Sequence, residues 1–210
     1  MSTRLGIELV VEPAFTARAY RTRNIVCGQY GTWAAEMQML RMSLVSYFEC
    51  PDTVMDLLAH GVGRVAEASR KGSPRFSINH RGVAMGRNDN EVDYNSIYLD
   101  FEQSDSNHPL NILRRAAVVL GEQLPEVTMA ATSDYRHKIN LMEHANLPKS
   151  VMDDALGFAK EVSVDVGVPE VARAWRLVLL RYHSESAGDD WSNGSWASDI
   201  SWEYLSSHVL

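Results

Sequence analysis

Two short segments of this chain carry side chains that are suited to binding phosphate. The first reads RMSL at positions 41–44, and the second reads KINL at positions 138–141. A guanidinium group holds phosphate oxygens in a two-pronged fork, an ammonium group adds a point charge, and hydroxyl and amide groups complete the hydrogen-bonding shell. If the fold brings the segments together, they form a phosphate clamp. Its candidate ligand-binding residues are Arg41, Ser43, Lys138 and Asn140.

The two segments belong to a longer similarity within the chain. Residues 41–56 match residues 138–153 at an offset of 97 positions, and five of the matched pairs are identical, Pro51 and Pro148 among them. This offset is far longer than the roughly 20–50 residues of a stacked repeat. We therefore expect one supersecondary unit used twice, with the two copies paired about a pseudo-twofold axis and the clamp at that axis.

The elements that would position these residues follow the same order in both halves: strand, helix, strand, helix, strand. Hydrophobic periodicity and turn residues predict them. In the first half they span 5–12, 14–26, 39–48, a helix from 52, and 76–85. In the second half they span 96–102, 110–124, 137–142, 150–166 and 175–183, followed by a last strand at 200–205.

This pattern predicts an α+β fold in which helices cover the outside of antiparallel sheets. We expect a single bilobal domain over residues 1–210, with two pseudo-symmetric lobes whose sheets face a central cleft. The first lobe would span about 1–88 and the second about 95–210, because the segment 86–95 is polar and rich in turn-forming residues.

Side-chain alternation along a strand decides which residues enter the cleft. Met42, Leu44 and their counterparts Ile139 and Leu141 are apolar and should face the helices. The four clamp residues then point the other way. Arg41 is thus expected to be a cleft residue that carries little of the core, although a solvated position on an open sheet face is an alternative.

In element order and motif position, the chain resembles the two-histidine (2H) phosphoesterase superfamily, which includes bacterial 2′,5′-RNA-ligase-like proteins and cyclic phosphodiesterases. The family carries a strand motif of the form His-x-Ser/Thr-Leu in each of two tandem lobes. Here Arg41 and Lys138 stand where the family has histidine, and Ser43 and Asn140 stand where it has serine or threonine. The resemblance implies a cleft for a small phosphorylated ligand: a nucleotide, a cyclic nucleotide or an RNA end.

The replaced histidines bear on catalysis. In the family one histidine acts as general base and the other as general acid, which requires groups that titrate near neutral pH. Arginine is permanently protonated, and lysine acts only if its surroundings lower its pKa. We therefore expect a catalytically degenerate protein. The alternatives are an active metal-independent cyclic phosphodiesterase that uses Lys138 or His144, and a protein-interaction scaffold.

Composition narrows the partners. A formal net charge of −7 argues against a surface that binds extended nucleic acid, since such binding needs many lysines and arginines.

The two cysteines, Cys27 and Cys50, are isolated in the sequence, and we expect neither a metal site nor a cofactor. No apolar run reaches the roughly 18 residues of a membrane span, so the sequence predicts a cytoplasmic protein without a membrane partner. Oligomeric state stays open.

Two further groups have a structural and a functional interpretation. Arg18, Arg21 and Arg23 are expected on the solvated side of the first helix. A second group of aromatic residues near the C-terminus could offer a base-stacking platform, but packing within a hairpin is the more common role. Its members are Trp191, Trp196 and Trp202.

Overall fold

The computed structural model describes residues 2–86, 95–101, 107–128 and 135–210. The first half of the chain forms β1 (Ser2–Val11), α1 (Pro13–Tyr30), β2 (Met42–Phe48), α2 (Asp52–Gly72) and β3 (Ser77–Gly86). The second half forms β4 (Ser96–Phe101), α3 (His108–Glu122), β5 (Lys138–Met142), α4 (Lys149–Val166), β6 (Val171–Ser184) and β7 (Ser201–Val209). The predicted α+β class and element order are confirmed. Most of the predicted seam at 86–95 lies outside the described residues.

Local sequence explains where α1 begins and ends. Pro13 occupies the first turn of the helix, where its missing N–H removes no intrahelical hydrogen bond. Gly31 ends the helix in the left-handed conformation, with φ at 65°, and its N–H donates to the carbonyl of Cys27. This backbone conformation favours glycine because other residues would bring Cβ close to the carbonyl oxygen.

The strands form one antiparallel sheet in the order β1-β2-β5-β4-β3-β6-β7, and β1 also pairs with β6. Apart from the β6–β7 pair, this pairing scheme is unchanged when the two halves are exchanged. The β1–β2 pair corresponds to β4–β5, and β1–β6 corresponds to β4–β3, while β2–β5 and β3–β6 each join equivalent strands. At the β2–β5 junction Met42 pairs with Ile139, two residues that lie 97 positions apart.

The two halves therefore interleave in space. The long strand β6 of the second half continues the sheet of β1 and β2, and β3 of the first half lies beside β4. The helices also pack across the two halves: α1 of the first half packs against α4 of the second, and α2 of the first half packs against α3 of the second. The predicted lobes at 1–88 and 95–210 describe the order along the chain, and as a division into lobes they remain a prediction.

The main core lies between the sheet and the helices. The four apolar motif residues, Met42, Leu44, Ile139 and Leu141, are all fully buried in it, as alternation predicts. In α2 the buried stripe passes through Leu58, Gly61, Val62 and Ala66, whereas Leu57 is 54% exposed.

Arg23 is buried, which corrects its expected place on the solvated side of the first helix. Its side chain is only 2% exposed, and its Nη1 donates a 2.7 Å hydrogen bond to the carbonyl of Ala35. The chain between α1 and β2 folds back as a short 3₁₀ helix, Ala34–Met37, against this side of α1. Burial lowers the pKa of Arg23. In the parts of the chain that the structure describes, no helix has the length and hydropathy of a membrane span.

Gly61 permits the close approach of α2 and α3. A Cβ at this position would collide with Leu120 Cδ1 of α3, whereas a Cβ at Gly157 of α4 would meet no atom within 4 Å. We expect Gly61→Val to lower the free energy of unfolding by about 1–3 kcal/mol through overpacking. Gly157→Val, the matched control, should change it by less than about 0.5 kcal/mol. Urea unfolding followed by circular dichroism measures both, and equal stabilities would contradict the packing described.

Candidate functional site

The structure places the two predicted motifs side by side on adjacent strands. Because Met42 pairs with Ile139 and both face the helices, the flanking residues of β2 and β5 share the opposite face of the sheet. We call this surface the clamp face. Its predicted ligand-binding residues are Arg41, Ser43, Lys138 and Asn140. Glu8 on β1 pairs with Ser43, and Tyr98 on β4 pairs with Asn140, so both add side chains to the same face.

Arg41 is held by two residues that the sequence analysis did not identify. Its Nε lies 3.0 Å from the hydroxyl of Tyr182, to which it donates, and 3.5 Å from Oε2 of Glu8. The Tyr182 hydroxyl in turn donates to Glu8 Oε1 at 3.0 Å. The side chains of Arg41 and Glu8 are only 9% and 0% exposed. Arg41 is therefore a buried ion-pair partner, contrary to its expected position as a cleft residue with little core.

Gly6 makes this arrangement sterically possible. A Cβ at position 6 would collide with the carboxylate of Glu8 and would lie 3.0 Å from a ring carbon of Tyr182. The two side chains meet in the space above the glycine backbone. Any larger residue there would push the carboxylate away from the tyrosine hydroxyl.

The electrostatics fix Arg41 as a permanent cation. Burial lowers the pKa of Arg41, but the neighbouring Tyr182, Glu8 and Tyr47 outweigh it and raise the pKa above its ordinary value. Burial raises the pKa of Glu8, opposed by the Arg41 charge and by hydrogen bonds from Ser43 and Tyr182. Arg41 can stabilise negative charge, but it cannot transfer protons.

An aromatic layer covers the part of the clamp face near Arg41. The centre of the Tyr47 ring lies 5.3 Å from the ring centre of Tyr182, 5.1 Å from that of Trp191 and 5.9 Å from that of Trp196. Trp191 and Trp196 are 4% and 0% exposed, so both pack internally, as the hairpin interpretation predicts. Trp202 remains 36% exposed on β7.

The clamp-face residues of the second motif are less tightly bonded to neighbouring side chains than Arg41. Lys138 and Asn140 are half-buried, and Lys138 Nζ lies 5.3 Å from the centre of the Tyr98 ring, within cation–π range. Among the described residues, Asn140 Oδ1 and Glu143 Oε2 are buried and have no hydrogen-bond partner. A buried polar atom without a hydrogen-bond partner lowers the stability of the fold, and a ligand that supplies a hydrogen-bond donor would remove this penalty.

The two histidines nearest the motifs do not form an acid–base pair. His137 is buried and faces α3, with Nε2 2.8 Å from Asn111 Oδ1 and Nδ1 2.9 Å from the Tyr135 hydroxyl. Burial, together with the nearby charge of Arg114, lowers the pKa of His137 to about 4. His144 lies beyond the end of β5, with its ring 5.3 Å from that of Trp196.

The sequence contained a signal for one of the missed residues. Glu8 is the only charged residue in the segment from Leu5 to Val11, whose other residues are apolar or glycine. A charge in the middle of a buried strand requires a partner, and only distant parts of the chain could supply it. The described residues contain no group of three or more histidine, cysteine, aspartate or glutamate side chains that could hold a metal ion.

No protein-family model matches this chain, and no curated protein sequence matches it. Solved structures do. A crystal structure of a phosphoesterase aligns over 100% of this chain and 99% of its own, with a TM-score of 0.57 and 13% identity. E. coli LigT complexed with 3′-AMP aligns over 99% of this chain and 98% of its own, with a TM-score of 0.56 and 13% identity. The chain thus has the fold of the two-histidine phosphoesterases, which confirms the predicted resemblance at the level of fold.

Removing Arg41 should destabilise the protein strongly. Arg41→Met leaves the Glu8 carboxyl group buried without its cation, and we expect the free energy of unfolding at pH 7 to fall by about 3–5 kcal/mol. The double variant Glu8→Gln/Arg41→Met should recover most of the loss, because no charge is then buried alone. Arg21→Met, at an exposed position of α1, is the control. Urea unfolding of wild type, Glu8→Gln, Arg41→Met and the double variant completes a double-mutant cycle, and an additive result would contradict the ion pair.

His137 should make stability depend on pH. Its folded pKa of about 4 lies below the ordinary value of 6.5, so the unfolded state binds the additional proton between these values. The stability that the neutral His137 side chain contributes is fully present above pH 6.5 and is lost as the pH falls towards 4. The free energy of unfolding falls by at most about 3 kcal/mol over this range. Urea unfolding at pH 7, 5.5 and 4.5 should show that the free energy of unfolding falls less in His137→Gln than in wild type. The exposed control His60→Gln should keep the wild-type dependence.

Proposed function

We propose that this protein binds a small phosphorylated ligand on the clamp face and that its catalytic machinery is degenerate. The observation that carries the proposal is the pairing of β2 with β5 at Met42 and Ile139, which puts both motifs on one face of the sheet. Two cationic side chains, Arg41 and Lys138, belong to that face, and they stand at the two positions where the resembled family has its proton-transferring histidines.

The two cations contribute differently in this proposal. Lys138 is half-buried, and its ammonium group reaches the ligand directly as a point charge. Arg41 directs its Nε towards Tyr182 and Glu8, so it contributes mainly a positive field that Glu8 partly offsets. Asn140 supplies an amide group to the shell around the phosphate. The Ser43 hydroxyl donates to Glu8, so it joins this shell only if that hydrogen bond is exchanged for one to the phosphate.

The likeness to LigT supports the choice of ligand class, because LigT was solved with 3′-AMP and shares the fold. A nucleotide, a cyclic nucleotide or an RNA end carries the phosphate that the clamp requires. Catalysis is expected to be weak. A positioned acid or base contributes roughly a hundredfold to ten-thousandfold each, and the positions of both motif histidines hold other residues.

Titration calorimetry with 3′-AMP tests the binding site. Lys138→Met should weaken binding by about 1.5–3 kcal/mol, the contribution of a hydrogen bond to a charged group. Lys160→Met removes an equal charge from the exposed surface of α4 and should leave the affinity unchanged. An unchanged affinity in Lys138→Met would show that the nucleotide binds elsewhere. Absence of binding to the wild type would favour the scaffold alternative.

Turnover of a 2′,3′-cyclic nucleotide tests the degeneracy. We expect hydrolysis by the wild type to be slow or absent in an assay that follows ring opening by chromatography. Rapid turnover that is lost in Lys138→Ala or in His144→Ala would contradict degeneracy and would identify the active alternative. Lys160→Ala is again the surface control.

A further inference from the structure

The chain between β6 and β7, residues 185–200, lies on the clamp face. We call it the β6–β7 connection. Its apolar side chains form a second hydrophobic cluster with residues of β1 and β6 that point away from the main core. The strand residues of this cluster are Val10, Val178, Leu180 and Tyr182, and the connection contributes Ala187, Trp191, Trp196 and Ile200. Since Tyr182 holds Arg41, the cluster lies directly beside the first motif.

Hydrogen bonds fix the connection in place. Trp196 Nε1 donates to the carbonyl of Trp191 at 3.1 Å, and Trp191 Nε1 donates to Ser2 Oγ at 3.0 Å. Asp199 accepts hydrogen bonds from the hydroxyl of Ser184 and from the backbone N–H groups of residues 185 and 186. A segment with two buried indole rings and these hydrogen bonds behaves as part of the folded body.

The connection contacts both motif strands or their continuations. Trp191 and Trp196 pack on Tyr47 of β2, and Trp196 also packs on His144, which follows β5. Gly194, with φ at 76°, lies so close to the His144 ring that a Cβ there would collide with it. The connection therefore closes the clamp face on the Arg41 side, whereas Lys138 stays partly exposed.

We propose that the β6–β7 connection limits the ligand to a single nucleotide. The inference rests on the proposed function. A second nucleotide continuing from Lys138 across Arg41 would have to displace Trp191 and Trp196, and exposing two buried indoles costs more free energy than stacking one base returns. The connection is thus a specificity determinant, and the ligand class is a mononucleotide or cyclic mononucleotide.

The first test compares ligand length. Wild type should bind 3′-AMP and the 3′-phosphorylated dinucleotide ApAp with affinities within about twofold of each other. In a variant that replaces residues 186–199 with an Asn-Gly turn, the dinucleotide should bind about tenfold more tightly than 3′-AMP. Gly194→Val, which pushes the connection from His144 and keeps both tryptophans, should shift the ratio in the same direction. Trp202→Ala, outside the connection, should not. Tighter binding of the dinucleotide by wild type would overturn the inference.

A second test needs no nucleotide. Phenylglyoxal modifies accessible guanidinium groups, and peptide mass mapping reports the rate at each arginine. In wild type Arg41 should react far more slowly than the exposed Arg21, and the shortened variant or Gly194→Val should raise the rate at Arg41 but not at Arg21. Rapid labelling of Arg41 in wild type, or unchanged protection in both variants, would overturn the role of the connection. If labelling agrees but neither nucleotide binds, the proposed function fails and the closure of the face stands.

Discussion

The pairing of β2 with β5 is the constraint on which the arrangement of this molecule depends. It joins the two halves through the contact between Met42 and Ile139, with β3 and β6 providing the other junction between equivalent strands. A shift of one residue at the β2–β5 junction would turn apolar residues of the main core to the opposite face and bring charged residues under the helices. The burial of Leu44 and Leu141 therefore fixes the register, and the register fixes the membership of the clamp face.

A buried ion pair takes the centre of that face. Removing two charges from water is costly, and the attraction between Arg41 and Glu8 compensates only when geometry is good and further hydrogen bonds are made. Tyr182 supplies such bonds to both partners. The result is a rigid cluster in which Arg41 stays protonated. The arginine suits electrostatic stabilisation of an anion, but it does not suit proton transfer, for which a group must change its protonation state near neutral pH.

The aromatic rings above this cluster lower its contact with water. Tyr47, Trp191 and Trp196 enclose the polar groups beneath them, which strengthens the ion pair and restricts access from the same side. Protection of the cluster and limited ligand access thus have one physical origin. The second motif lacks an equivalent cover among the residues described, and its lysine lies against the single ring of Tyr98.

The sequence alone predicted the element order, the α+β class and the alternation that directs the clamp residues away from the core, because these depend on periodicities within short windows. It also marked Glu8 as an anomaly without showing its partner. Only the tertiary structure decided that Arg41 is buried with Glu8 and Tyr182, that Arg23 lies under the 3₁₀ helix, and that the β6–β7 connection folds onto the clamp face. Glu8 and Tyr182 are 174 positions apart. No local pattern encodes such a contact, since it follows from strand order and from packing across the whole sheet.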